Sequence, residues 1–248
     1  MTLEGQIGVV SGAGRGIGRV IATSLAAEGM SLLLLARTSS EIRSLAEALT
    51  DEYAVKVLPA AIDVADPDAV TRVVAHAEQH LGTVDLLVNN AARIEREQVP
   101  FWEADADEMW GVVETNLRGP LLLTRALLPP MVQRGHGRVV SIGSRARGAT
   151  TTGTYTGYAM SKRGLSVLTE TLGASLVGTG VTAFEVLPGV VRTDLTLGMP
   201  IWDGRKDWDD AELTAATVVK IAQGGYDDRA GQVLDAPALA AEGPDLSG

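Results

Sequence analysis

Gln6-Ile7-Gly8-Val9-Val10-Ser11-Gly12-Ala13-Gly14-Arg15-Gly16-Ile17-Gly18 is the stretch that decides the fold. Residues 6–11 read as a short, mostly apolar strand. It runs straight into a glycine-rich turn, after which Val20, Ile21, Ser24 and Leu25 recur at helical spacing. Strand, glycine turn and helix in that order place backbone N–H groups and the positive end of a helix against a phosphate. The glycines do not fit G-x-G-x-x-G, because position 17 is Ile and position 19 is Arg. They fit G-x-x-x-G-x-G, with Gly12, Gly16 and Gly18 as the fixed positions and Ser11, Arg15 and Ile17 around them. A glycine turn alone can be no more than a tight connection; its place at the first strand–helix junction favours the phosphate reading.

Ser31 to Ala36 is a second strand, a continuous apolar run of the kind buried in parallel sheets. In dinucleotide-binding folds a carboxylate at the end of this strand favours NAD, and an arginine accommodates the 2′-phosphate of NADP. No carboxylate occurs between Glu28 and Glu41; Ala36-Arg37-Thr38-Ser39 stands there instead. Arg37, with Arg15 across the turn, points to NADP(H). Further on, residues 41–52 read as a helix and 55–62 as a strand ending at Asp63-Val64. Asp66-Pro67 is a cap and a first-turn proline opening a helix to about His80. His76 and His80 are four apart but lack a third ligand nearby, and no metal site is expected. Residues 84–88 form a strand followed by Asn89-Asn90-Ala91-Ala92. Asp105 with Glu108 resembles a capping box, opening a helix that carries Asn116 within an apolar face and ends near Pro129-Pro130. Strands at 138–142 and 181–187 flank a helix at 156–177. Residues 195–210 are irregular, 211–223 helical, and 232–234 a last short strand. The tail, 237–248, has no pattern and is expected to be poorly ordered. This alternation specifies an α/β fold, one doubly wound domain over residues 1–248 with a seven-stranded parallel sheet flanked by helices.

Hydrophobic residues make up 46% of the 248, enough for a large core, while aromatics are only 4%. The formal charge of −10 disfavours nucleic acid and anionic membranes as partners. There is no cysteine, so disulfides and thiolate chemistry are excluded. The first residues show no signal peptide, and no apolar run has the length of a membrane span. A cytoplasmic location is the expectation.

Ser144 to Lys162 carries the chemistry. Tyr158 and Lys162, four apart, face the same way on a helix. Lowering a phenol from about 10 to about 7 takes roughly 4 kcal/mol. An ammonium about 4 Å away supplies roughly 1 kcal/mol in water and about 4 at an effective dielectric near 20. The pair therefore makes an acid/base only in a partly dry cleft, and Tyr-x-x-x-Lys by itself is common on helix surfaces. Tyr155 is a rival phenol, but position 159 is Ala.

Taken together, the chain resembles a short-chain dehydrogenase/reductase, from the glycine turn to about Leu234. The resemblance rests on Gly12, Gly16 and Gly18; Asp63; Asn89-Asn90-Ala91; Asn116; Ser144; Tyr158 and Lys162; and Pro188-Gly189 with Thr193. It implies a single Rossmann domain with the cofactor across the carboxyl ends of the strands. It implies further that Tyr158 gives or takes the hydroxyl proton, that Lys162 lowers its pKa and binds the nicotinamide ribose, that Ser144 holds the substrate oxygen, and that Asn116 anchors a water leading protons to Lys162. Asp63 would contact the adenine and Thr193 the nicotinamide side, and Val64, Asn90, Ala91, Pro188, Gly189 and Val191 would also bind the cofactor. Basic residues at Arg15 and Arg37 imply NADP(H), and a homodimer or homotetramer is implied as well. The expected activity is reversible reduction of a ketone to a secondary alcohol. Alternatives are an enoyl or imine reductase or an epimerase-like enzyme on the same site, or a silent dinucleotide sensor. Residues 195–210, with Met199, Ile201, Trp202 and Trp208, suit a lid over an apolar or cyclic substrate, or a plain surface loop. Arg145 and Arg147 could steer an acidic substrate or stand solvated.

Overall fold

The computed structural model describes residues 2–145 and 153–242; Arg147 and the end of the tail lie outside them. The strands are β1 (Ile7–Ser11), β2 (Ser31–Ala36), β3 (Val57–Ala61), β4 (Leu86–Asn89), β5 (Gly137–Ile142), β6 (Val181–Leu187) and β7 (Val233–Asp235). They form one seven-stranded sheet in the order β3-β2-β1-β4-β5-β6-β7, and every neighbouring pair is parallel. The chain winds outward from β1 to β3, then returns to β4 and winds the other way. That reversal opens a crevice at the carboxyl ends of β1 and β4, the place where such sheets hold ligands.

The helices are α1 (Gly16–Ala27), α2 (Ser39–Tyr53), α3 (Pro67–His80), α4 (Ala106–Val113), α5 (Gly119–Arg134), α6 (Thr156–Ser175), α7 (Asp194–Leu197), α8 (Ala211–Ala222) and α9 (Ala236–Ala241). The period-two geometry of the strands sorts the apolar residues between two cores. Leu32 and Leu34 face α1, α2 and α8, meeting Ile21, Leu45 and Val218. Leu33 and Leu35 face the other layer, with Val73 of α3 and Leu127 of α5. β2 is fully buried on both faces, and for that reason it reads as an unbroken apolar run.

Several elements depart from the sequence reading. α4, a five-residue π turn at Glu114–Arg118 and α5 follow one another without a break. The prolines do not end α5, which passes through Pro129 and Pro130 and stops at Gly135, φ 70°. Met131, fully buried one position beyond the prolines beside Leu123 and Leu127, favours continuation. Its burial is worth about 1.5–3 kcal/mol, comparable to the cost of a helical proline. The start of the tail is ordered: Asp235 accepts the Ala238 N–H (3.2 Å) and Ala236 is buried, so residues 236–241 form α9. Asp105 caps α4 by accepting from Asp107 and Glu108, but the Glu108 carboxylate turns away to the Arg96 N–H, so the box is half closed. The segment 195–210 is less irregular than it reads. It contains α7, capped reciprocally by Thr193 and Thr196, and a 3₁₀ turn at Pro200–Trp202. Asp209 pins its far end to Val190 and Val191. His76 and His80 lie side by side on the exposed surface of α3, and no His, Asp and Glu cluster fit for a metal occurs among the described residues. No helix among them is long and apolar enough to cross a membrane.

Candidate active site

A cleft of about 860 Å³ opens along the carboxyl edge of the sheet, between the glycine turn, the ends of β4, β5 and β6, the first turn of α6 and the segment after Thr193. The glycine turn is shaped for close approach. Gly12 and Gly16 have φ of +65° and +55°, a backbone that side chains resist. A Cβ on Gly12 would stand 2.8 Å from Ala91 Cα, and one on Gly18 would collide with the Gly12 carbonyl. The Ser11 hydroxyl stitches β1 to β4, accepting the N–H groups of Asn90 (3.0 Å) and Ala91 (3.1 Å). The Asn90 amide donates to the Ser11 and Gly12 carbonyls. Gly12, Arg15, Gly16, Ile17, Asn90, Pro188, Gly189, Val191 and Thr193 line the cleft, whereas Ser11, Gly18 and Ala91 shape its wall from behind. Asp63 sits beyond β3, where its carboxylate accepts the Ala65 N–H (2.9 Å); Val64 is buried against Gly119.

Ser144, Tyr158 and Lys162 share one wall of the cleft. Lys162 is 3% exposed, donates to the Ile142 carbonyl at 2.8 Å, and holds its ammonium 5.7 Å from the Tyr158 ring centre. Burial pulls its pKa from 10.5 to about 8, against the attraction of Glu185. The phenol of Tyr158 is pushed above its usual value, because burial outweighs the hydrogen bond from Ser144. This corrects the expectation of a phenol already lowered by its lysine: both partners lose hydration here, and at neutral pH Tyr158 keeps its proton. Tyr155 is buried, turned into the left-handed region at φ 56°, and also raised by burial and by Glu95.

Asn116 sits behind the wall, 1% exposed, within the π turn. Its amide accepts the Arg93 N–H and donates to the Arg93 carbonyl, both at 2.8 Å, and donates to Ser161 Oγ at 3.1 Å. Its side chain thus ties the loop after β4 to α6. π turns recur at functional sites because they re-aim a side chain that a regular helix would direct elsewhere.

Charge is distributed against the whole. In a chain of net charge −10, the described residues that line the cleft include Arg15, Arg37, Arg93, Arg145 and Arg192 with Lys162, and one carboxylate, Asp194. Arg37 makes no ion pair among the described residues. Arg15 meets Asp194 at 2.8 Å, but both are 66% exposed, and such a pair is worth less than about 1 kcal/mol. A phosphate can displace it. Arg145 is held by both oxygens of Asp235.

The family model described as short chain dehydrogenase matches residues 6–202, a span that includes every residue lining this cleft. The chain belongs to the short-chain dehydrogenase family. Among relatives of this chain, a short chain dehydrogenase of Pseudocercospora fijiensis is 37% identical over 214 residues, 86% of this chain and 65% of that one. The 3-oxoacyl-[acyl-carrier-protein] reductase of Escherichia coli is 34% identical over 79% of this chain and 78% of its own. A solved structure described as a gluconate 5-dehydrogenase, NAD(P) dependent, from Beutenbergia cavernae with NADP bound at low occupancy superposes with a TM-score of 0.86. It is 29% identical, covering 95% of this chain and 96% of that one.

Three residues of the site escaped the sequence reading. Glu95, 6% exposed, accepts the N–H groups of Gly157 (2.5 Å) and Tyr158 (3.3 Å). Its partners lie more than sixty residues on, and nothing local marks it. Glu185, fully buried in β6, accepts from Ser166 Oγ at 3.0 Å and faces the Lys162 region. Here a signal existed: a lone acid inside the apolar run Val-Thr-Ala-Phe-Glu-Val-Leu. Arg192 lines the cleft beside Thr193.

Proposed function

We propose that the protein is an NADP(H)-dependent carbonyl reductase, running in reverse as a secondary-alcohol dehydrogenase, with Tyr158 as proton donor. The observation that carries this reading is the convergence of Ser144, Tyr158 and Lys162 on the same cleft as the glycine turn. The cofactor fits the residues present. The N–H groups of the turn and of α1, freed of side chains at Gly12 and Gly16, suit a pyrophosphate, and Arg37 with Arg15 suits a 2′-phosphate. When bound, the nicotinamide supplies or accepts the hydride.

The chain's own residues manage the proton. Ser144 donates a hydrogen bond to the substrate oxygen and sets it beside the Tyr158 hydroxyl. Tyr158, neutral at pH 7, passes its proton to that oxygen as negative charge develops there. The phenolate left behind faces the Lys162 ammonium, an attraction of about 3 kcal/mol over the ring distance at an effective dielectric near 20. Ile94, Tyr155, Met199, Ile201 and Trp202 line the remainder of the cleft and suit an apolar or cyclic ketone.

One observation favours NAD(H) as a second reading. Glu41 packs against the glycine turn, its Oε2 2.7 Å from where a Cβ on Gly14 would stand, and a carboxylate there can meet ribose hydroxyls. The test is consumption of NADPH and of NADH with cyclohexanone, acetophenone and ethyl acetoacetate. The proposal expects turnover of at least one ketone and a higher kcat/KM with NADPH. A higher value with NADH supports the second reading, and inertness toward all three with either cofactor removes the carbonyl reductase.

A further inference from the structure

A ring of hydrogen bonds, closed through the backbone from Arg93 to Glu95, surrounds the backbone of Tyr158. Asn116 grips Arg93 through both its N–H and its carbonyl. Two residues on, Glu95 accepts the N–H of Tyr158 at 3.3 Å from each carboxylate oxygen, and that of Gly157 at 2.5 Å. The Tyr158 carbonyl accepts from Ser161 Oγ at 2.8 Å, and Ser161 accepts from the Asn116 amide at 3.1 Å. The ring closes on the residue where it began.

The first turn of α6 needs this help. Its leading N–H groups have no intrahelical acceptor, and Tyr155, at the cap position, makes no side-chain capping bond. Gly157 is what admits the carboxylate: a Cβ there would stand 3.0 Å from Glu95 Oε1 and 2.6 Å from the Met109 carbonyl. Glu95 is 6% exposed, so its oxygens are not traded for solvent. A buried acid thus serves the helix that bears the proton donor from a loop more than sixty residues away.

We infer that Glu95 is a positioning residue for Tyr158: its carboxylate fixes the backbone of the first turn of α6 and so the direction in which the phenol meets the substrate oxygen. The inference rests on the reading of Tyr158 as proton donor. It concerns reach rather than charge. Glu95→Gln keeps an acceptor oxygen at the same length. Glu95→Asp keeps the charge but withdraws the oxygens by about 1.5 Å, one carbon–carbon bond.

The experiment compares the full-length wild type with Glu95→Gln, Glu95→Asp and Glu95→Ala in two ways. Amide hydrogen exchange at Gly157 and Tyr158 needs no substrate, and kcat with NADPH is measured on whichever of the three ketones the wild type reduces. Glu95→Gln is expected to keep both protection and kcat within about twofold, since one acceptor survives. Glu95→Asp and Glu95→Ala are expected to lose protection at those two amides selectively. Their kcat should fall about ten- to a hundredfold, as for a misplaced acid, with the NADPH Kd unchanged. Should Glu95→Ala not fold, the Gln and Asp pair decides alone. A Glu95→Asp variant with wild-type protection and kcat overturns the inference. So does a Glu95→Gln variant as impaired as Glu95→Ala, or an NADPH Kd that rises in step with the loss of kcat. If the wild type reduces none of the ketones, the carbonyl reductase reading has failed, and the exchange measurement still decides whether Glu95 holds the turn.

Discussion

Lys162 is a cation kept where cations are disfavoured. Its folded pKa of about 8 lies below the unfolded 10.5, so between those values the unfolded chain binds more protons and stability rises with pH. Below about 8 the full penalty stands, about 3 kcal/mol, with the attraction of Glu185 already contained in it. Lys162→Met removes that penalty and the hydrogen bond to Ile142, itself worth about 1 kcal/mol. The expected outcome is loss of turnover together with a Tm raised by about 4–8 °C at pH 7. Calorimetry at pH 7 and above pH 10 checks it, because the gain must vanish at the alkaline end. The convergence of Tyr158, Lys162 and Ser144 on one wall was legible in the sequence from the ordered set of residues between the glycine turn and Thr193, and not from the common Tyr-x-x-x-Lys pair alone. The sign of the phenol's shift was not legible, because it depends on how much water the folded wall excludes. Glu95 was invisible for a different reason: its partners are brought to it only by the fold.

At the scale of elements, the junction of α4 and α5 matters most. A regular helix through residues 106–134 would carry Asn116 to another face; the π turn brings it to Arg93 and Ser161. Asn116→Ala leaves the half-buried Arg93 N–H and carbonyl without their partners, each orphan costing up to about 1–3 kcal/mol. A lower urea midpoint with unchanged slope is expected, with kcat falling further than NADPH affinity. An unchanged midpoint would mean that the ring around Tyr158 carries no stability. β2 and β6 were readable to the residue, because strands buried on both faces are mostly apolar: β2 shows an unbroken apolar run, and β6 one interrupted only by Thr182 and Glu185. α5 was cut short in the sequence reading because proline propensity is local, whereas the burial of Met131 that overrides it is tertiary. The π turn has no sequence period of its own, and α9 is too short to show one.

At the scale of the molecule, the net charge of −10 opposes the approach of an anionic cofactor, and the arginines of the cleft reverse that locally. The attraction acts over about 10 Å at 0.1 M salt, so it should weaken visibly as salt is raised. KM for NADPH is expected to climb with ionic strength more steeply than KM for NADH. Arg37→Asp is expected to raise KM for NADPH about ten- to a hundredfold, the worth of one charge-assisted bond, while leaving NADH use intact. Unchanged cofactor preference would mean that the phosphate is read elsewhere. The doubly wound order of strands was legible from the alternation of elements, and the concentration of arginines at one edge was not, because it gathers residues from position 15 to position 192. The whole account comes to rest on proton transfer by one phenol, and Tyr158→Phe under single-turnover conditions measures that most directly, with NADPH absorbance following the reduction of a ketone. The account predicts NADPH binding close to wild type and a reduction rate lower by about a thousandfold, the scale of a lost general acid. A variant that binds NADPH equally well and reduces the ketone at the wild-type rate would contradict it.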